Sequence, residues 1–134
     1  MIGKTREYPK EIMMLEAIVK RFSPEHYKKA VFEKKLYRKL AGYKGEKTLD
    51  YYISQIDHSE MLILQDLRIP INDTHFQLDT LIITPYFLLN IDSKYYAGTL
   101  TFLPEFNQLI RFHNDIEEVF ADPILQARIQ ASQL

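Results

Sequence analysis

The spacing of apolar residues changes character once along the chain, near Asp57-His58, and that change limits the folds open to it. Before it, Ile12, Leu15, Val19 and Phe22 recur at three- and four-residue intervals, which predicts an amphipathic helix over 10–22. Ser23-Pro24-Glu25 predicts a second helix, with Ser23 as its cap and Pro24 in its first turn. That helix carries Phe32, Leu36 and Leu40 on one stripe as far as Ala41, and Gly42 is its expected stop. A third helix places Leu49, Tyr52, Ile53 and Ile56 on one side, with Glu46 in its first turn. After the change the texture is that of strands, predicted over 61–69 up to Pro70, over 75–84, over 87–94, and over 96–102 up to Pro104. Residues 105–121 mix aromatic and acidic positions and show no single period. Asp122-Pro123 opens a last helix that runs to Leu134 without a stop signal, as in a chain cut from a longer protein. Helices, then a strand meander, then a helix predict an α/β (α+β) fold with a mixed sheet.

Composition narrows the chemistry. The 134 residues suit one globular domain, and the absence of Cys removes disulfides, thiolate catalysis and sulfur-ligated zinc. No apolar run approaches the ~18 residues of a membrane span. Residues 2–7 lack the apolar core of a secretory signal, so the expected location is cytoplasmic, without membrane attachment. The four histidines (26, 58, 75, 113) form no ligand pair, and neither a nucleophile elbow nor a nucleotide-binding glycine loop is present.

Charge is unevenly distributed. Residues 1–48 hold 13 basic and 6 acidic side chains, a net +7, whereas the remainder holds 4 and 12, a net −8. Lys28, Lys29, Lys35, Lys39, Lys44 and Lys47 form a basic cluster, with Tyr27, Tyr37 and Tyr43 beside it as stacking surfaces for nucleic acid. The plainer account is a solvated, lysine-rich helix face, and composition alone favours it.

The segments 76–83 and 88–94 carry the most informative arrangement. A hairpin around Pro85-Tyr86 that pairs Ile83 with Leu88 sets Asp79 opposite Asp92 and Gln77 opposite Lys94. Alternate strand residues share a face, so these four side chains converge, with Leu81, Ile83 and Leu88 making an apolar lip. Opposed residues have Cβ atoms roughly 4.5–5.5 Å apart, close enough for two carboxylates to require a proton or cation between them. With oxygen ligands only, Mg²⁺ or Mn²⁺ is the suitable ion. The same residues would equally make the wet, salt-bridged face of a half-buried sheet, and spacing does not choose between the two.

Gly42-Tyr43-Lys44-Gly45-Glu46, Phe76-Gln77-Leu78-Asp79 and Ile91-Asp92-Ser93-Lys94 with Gly98 resemble, in order, the motifs of the nuclease-related domain (NERD) family. That family is similar to the PD-(D/E)xK nucleases, and Pro123 and Gln126 resemble its Pro-x-x-Gln segment. The resemblance implies a restriction-endonuclease-like core, a mixed central sheet flanked by helices, over 42–134, with 1–41 as a helical extension. It implies a Mg²⁺-dependent (or Mn²⁺-dependent) nuclease acting on DNA. Asp79 and Asp92 would be metal ligands, Glu46 a further ligand or the orienter of a water, and Lys94 the residue that positions the attacking water and offsets phosphate charge. Gln77 and Gln126 would support the site. Two departures are Asp92, where the family usually has Glu, and Tyr95, where it has Asn. They keep open a catalytically silent nuclease-fold module that binds nucleic acid or a protein partner; a general interaction domain with paired acidic and basic halves is a third reading.

Overall fold

Contacts divide residues 1–134, all described by the computed structural model, into two units. Met1–Lys4, Ser59–Asp92 and Tyr96–Leu134 form a sheet unit; Thr5–His58 with Ser93–Tyr95 form a helical unit. The mixed α+β architecture, with three helices and two sheets, agrees with a nuclease-like fold. No helix is long and apolar enough to cross a membrane.

In the helical unit, α1 (Lys10–Arg21) begins after Pro9 and buries Ile12 and Leu15. Glu11 in its first turn and Lys20 and Arg21 in its last complement the helix dipole. The expected helix start at Ser23-Pro24 is not used. There the chain makes turns in which the His26 ring stacks on Phe22, centroids 4.2 Å apart, and accepts the Lys28 N–H at Nδ1. Helix α2 (Lys29–Ser54) then runs 26 residues without a break, so the predicted second and third helices are one. Gly42 does not stop it. A helical glycine costs only about 1 kcal/mol, and contacts on both sides of Gly42 outweigh that, from Phe32 on Phe22 to the Tyr43 ring edge-on to Tyr8 at 5.3 Å.

The larger sheet has the order β1-β2-β3-β4. Strand β1 (Ile2–Lys4), which no sequence signal announced, lies parallel to β2 (Leu62–Ile71) and makes the sheet mixed. The Met1 ammonium donates to the Met61 carbonyl at 2.7 Å, and Lys4 Nζ to the carbonyls of Gln65 and Asp66. Pro70 does not close β2 but lies within it, beyond the stretch that pairs with β1, where its missing N–H removes no ladder bond. β2 pairs antiparallel with β3 (Thr74–Ile83) through the Asn72-Asp73 turn, and β3 with β4 (Leu88–Ile91). β4 is shorter than the predicted 87–94. Ile63, Leu78 and Thr80 have no exposed surface, and Leu81 and Ile82 are also buried, so the middle of β3 is the centre of this core.

The second sheet, β5 (Thr99–Leu103), β6 (Gln108–His113) and β7 (Ile116–Ala121), is an antiparallel meander. A short turn at Pro104–Phe106 joins β5 to β6, and Asn114-Asp115 joins β6 to β7. The segment without a single period is thus a hairpin. Gly98 enters β5 with φ of 101°, and a Cβ there would lie 2.3 Å from the Phe112 carbonyl oxygen, so only glycine fits. Helix α3 (Pro123–Ser132) starts where expected, with the Asp122 carboxylate accepting the Ile124 N–H at 2.8 Å, and ends at Ser132 rather than at Leu134.

Candidate functional site

Within the sheet unit, the β3–β4 ladder pairs Ile83 with Leu88, Ile82 with Leu89, Leu81 with Asn90 and Thr80 with Ile91. This is the register the sequence predicted. Asp79 and Asp92 occupy the next position, where β4 has just ended, and both are half-buried. Pairing between β2 and β3 is recorded on both sides of Asp66 but not at it; Asp66 has φ of 49° and by register lies on the other flank of Asp79. Left-handed backbone at a non-glycine residue is uncommon and strained.

Two expectations for this strand pair change. The ladder stops at Ile91, so Lys94 is not the strand partner of Gln77. Gln77 pairs with Arg68 across β2, and its side chain donates to Asp66 Oδ1 at 2.8 Å. Leu88 is 52% exposed and so forms no apolar lip beside Asp79, although Leu81 on the same face of β3 is buried. Gln126 is exposed on α3. The residue of that helix that reaches the strands is Gln130, which donates to the Gln77 carbonyl at 3.0 Å and accepts from Asn90 at 2.8 Å.

Within the helical unit, α2 places Glu46 and Asp50 one turn apart, and both hold Arg6. Arg6 Nη1 lies 2.7 Å from Glu46 Oε2, and its Nε and Nη2 lie 3.1 and 3.5 Å from the two oxygens of Asp50. The Arg6 side chain is 2% exposed, that of Asp50 8% and that of Glu46 25%. Beside this triad the backbone of Ser93–Tyr95 crosses α2 at Gly45. A Cβ on Gly45 would come within 2.9 Å of Tyr95 Cβ and 3.5 Å of Ser93 Oγ. Gly45 is thus the residue that lets the segment bearing Lys94 approach the helical turn bearing Glu46. Lys94 itself is exposed. Lys44 Nζ lies 6.0 Å above the Tyr95 ring.

The basic cluster belongs to this unit, and much of it is paired. Lys39 and Lys35 hold Glu11 at 2.7 and 3.5 Å, Lys47 lies 3.9 Å from Asp50, and Lys29 lies 4.0 Å from Glu33. Lys39 and Lys35 hold the Glu11 carboxyl below its ordinary value, the hydrogen bond from Lys39 being the largest cause. Lys28 lies over the Tyr27 ring at 5.4 Å.

The model of the nuclease-related domain family matches residues 41–134. The chain belongs to the nuclease-related domain family. No curated protein and no solved structure matches it. The match covers every motif named above, from Gly42 through Gln126, and begins well after Arg6. Of the four principal motif residues, Asp79 and Asp92 fall in the sheet unit and Glu46 and Lys94 in the helical unit. Neither unit by itself groups three His, Asp or Glu side chains about a common point. The donor chemistry at Asp79 and Asp92, carboxylate oxygens at adjoining positions, suits a hard divalent cation.

Arg6, Asp50, Asp66 and Gln130 were missed by sequence reasoning. Asp50 carried a usable signal: two acids four apart on a helix repel unless a cation intervenes. Nothing local identifies Arg6, 40 residues upstream of Glu46, as that cation.

Proposed function

We propose that this nuclease-related domain is a Mg²⁺-dependent (or Mn²⁺-dependent) nuclease that hydrolyses DNA phosphodiester bonds. The observation that carries the reading is the β3–β4 register, whose last pair, Thr80 with Ile91, leaves Asp79 and Asp92 at the adjoining position, the two acids that resemble the family motif. Asp79 and Asp92 are the residues to hold the cation, with Glu46 as a further ligand or the orienter of a water. A divalent ion in such a site supplies Lewis-acid polarisation of the phosphate and a more acidic water. Lys94 contributes an exposed ammonium that stabilises the charge developing on the phosphoryl oxygens and holds the water for in-line attack. Gln77, two residues before Asp79 on β3, supports it through the hydrogen bond it donates across to Asp66 on β2.

A second reading is supported by a separate observation. Glu46 is engaged by a buried arginine, and Asp92 is one methylene shorter than the usual Glu. A domain of this kind would keep the fold, hold metal weakly and bind nucleic acid or a protein without cutting. Supercoiled and linear DNA incubated with Mg²⁺ or Mn²⁺ separates the two. The nuclease reading expects cleavage that is lost in Asp79→Ala and in Lys94→Ala; cleavage persisting in both variants would refute it. Calorimetric titration of Mg²⁺ then tests the silent module, which expects no heat that depends on Asp79.

A further inference from the structure

Ion pairing sorts the basic residues of α2 into two groups. Lys35 and Lys39 face α1 and are held by Glu11, and Lys29 and Lys47 have carboxylates within 4.0 Å. A different stripe runs along the solvent side. Lys34, Tyr37, Lys44 and Tyr51 follow at three- and seven-residue intervals, which keeps them within one sector of the helix. All four are exposed, Tyr37 by 74% and Tyr51 by 62%. The stripe is about 26 Å long at ~1.5 Å per residue. Between Lys34 and Tyr51 its intervening positions are Ala41 and Thr48, so no carboxylate interrupts it. At its middle, Lys44 stands over Tyr95, which is 51% exposed and is the residue after Lys94.

We infer that this stripe, Lys34, Tyr37, Lys44, Tyr51 and Tyr95, is a binding track for single-stranded nucleic acid. The inference deepens the proposed function by naming the form of its substrate and the surface that takes it. Exposed aromatic rings alternating with ammonium groups match the two recurring features of a single strand, unstacked base faces and regularly spaced phosphates. A duplex offers no free base faces to the tyrosines, and an acidic protein surface gives no reason for exposed rings at these positions. The first part of the chain carries the net positive charge that steers a polyanion to it. The track also leads to the Ser93–Tyr95 segment, so a strand lying on it passes beside Lys94.

The test is fluorescence anisotropy of a labelled oligothymidylate with the whole chain in EDTA, where no metal-dependent chemistry occurs. Wild-type protein should bind with an affinity that falls steeply as salt rises. Lys34→Gln/Lys44→Gln and Tyr37→Ala/Tyr51→Ala should each weaken binding at least tenfold. Lys35→Gln/Lys39→Gln, which removes equal charge from the paired side, should change it less than twofold. Circular dichroism confirms that the variants, all at exposed positions, stay folded. Equal loss in the control pair, unchanged binding in the tyrosine pair, or tighter binding of a duplex of the same length would each overturn the inference. Because the assay excludes metal, its failure leaves the Asp79-dependent cleavage test standing, and failed cleavage leaves the track testable.

Discussion

Removing the Arg6 guanidinium should be the most damaging single change in the helical unit. Its side chain is 2% exposed and makes three hydrogen bonds to two carboxylates. Truncation to Ala leaves Asp50, itself 8% exposed, beside Glu46 with only the half-exposed Lys47, 3.9 Å away, as counter-charge. Breaking a buried ion pair by deleting one partner costs about 3–5 kcal/mol. Glu46 keeps a quarter of its surface in water and recovers part of its solvation, so the lower end, about 3 kcal/mol, is expected. For a chain of this size that corresponds to a fall in Tm of about 10 °C. Urea unfolding followed by circular dichroism measures it directly. The internal comparison is Arg6→Met combined with Glu46→Gln and Asp50→Leu, which leaves no buried charge and should recover most of the loss. A change below about 1 kcal/mol in Arg6→Ala, the range of an exposed pair, would show that the triad is solvated and refute the reasoning.

The two glycines of the α2 motif should respond oppositely to alanine. At Gly42 an added Cβ meets nothing within 4 Å, and Gly42→Ala should raise stability by up to about 1 kcal/mol through helix propensity. Gly45→Ala forces Ser93–Tyr95 away from the helix and should cost about 1–3 kcal/mol; chemical denaturation midpoints of the two variants that move in the same direction would contradict the close crossing. The Glu11 carboxyl, held below its ordinary value of 4.5 chiefly by Lys39, gives a signed pH effect. Its contribution to α1–α2 packing is complete above the unfolded value and fades as pH falls through the folded one. A carboxyl ¹³C titration should place Glu11 below 4.5 and move it upward in Lys39→Gln; a midpoint at or above 4.5 in the wild type would remove the ion pair.

What the sequence made legible was local. Strand alternation and the short connection at Thr84–Phe87 predicted the β3–β4 register, because a hairpin with one face buried tolerates no slip. The start of α3 was equally legible, since Asp122-Pro123 combines a capping oxygen with a residue that fits the first helical position. The β6–β7 hairpin was not, because its turn has no glycine. Asn114 and Asp115 supply the two left-handed positions, with φ of 51° and 59°, and such a pair is a weaker form of the usual hairpin signal. β1 has three residues, too few for any period to emerge, and exists because β2 offers it an edge. Gly42 was misread because propensity says only that a helix is weaker there, and packing elsewhere along α2 outweighs it.

The motif residues were visible as types, but their settings were not. Glu46 reads in sequence as an acid near a helix start, yet it lies mid-helix with Asp50 one turn on, both turned towards Arg6. The general lesson is electrostatic. Two acids four apart on the packed side of a helix are not stable by themselves, so the fold must bring a cation from elsewhere, and a lone arginine in an otherwise polar leader such as Thr5-Arg6-Glu7 is a natural source. The same argument explains why Arg6, outside the family match at 41–134, still bears on the motif within it. A fragment starting at residue 41 would retain Glu46 and Asp50 without their buried counter-charge, leaving only the exposed Lys47 near Asp50, so the segment before the match is part of what makes the motif helix stable.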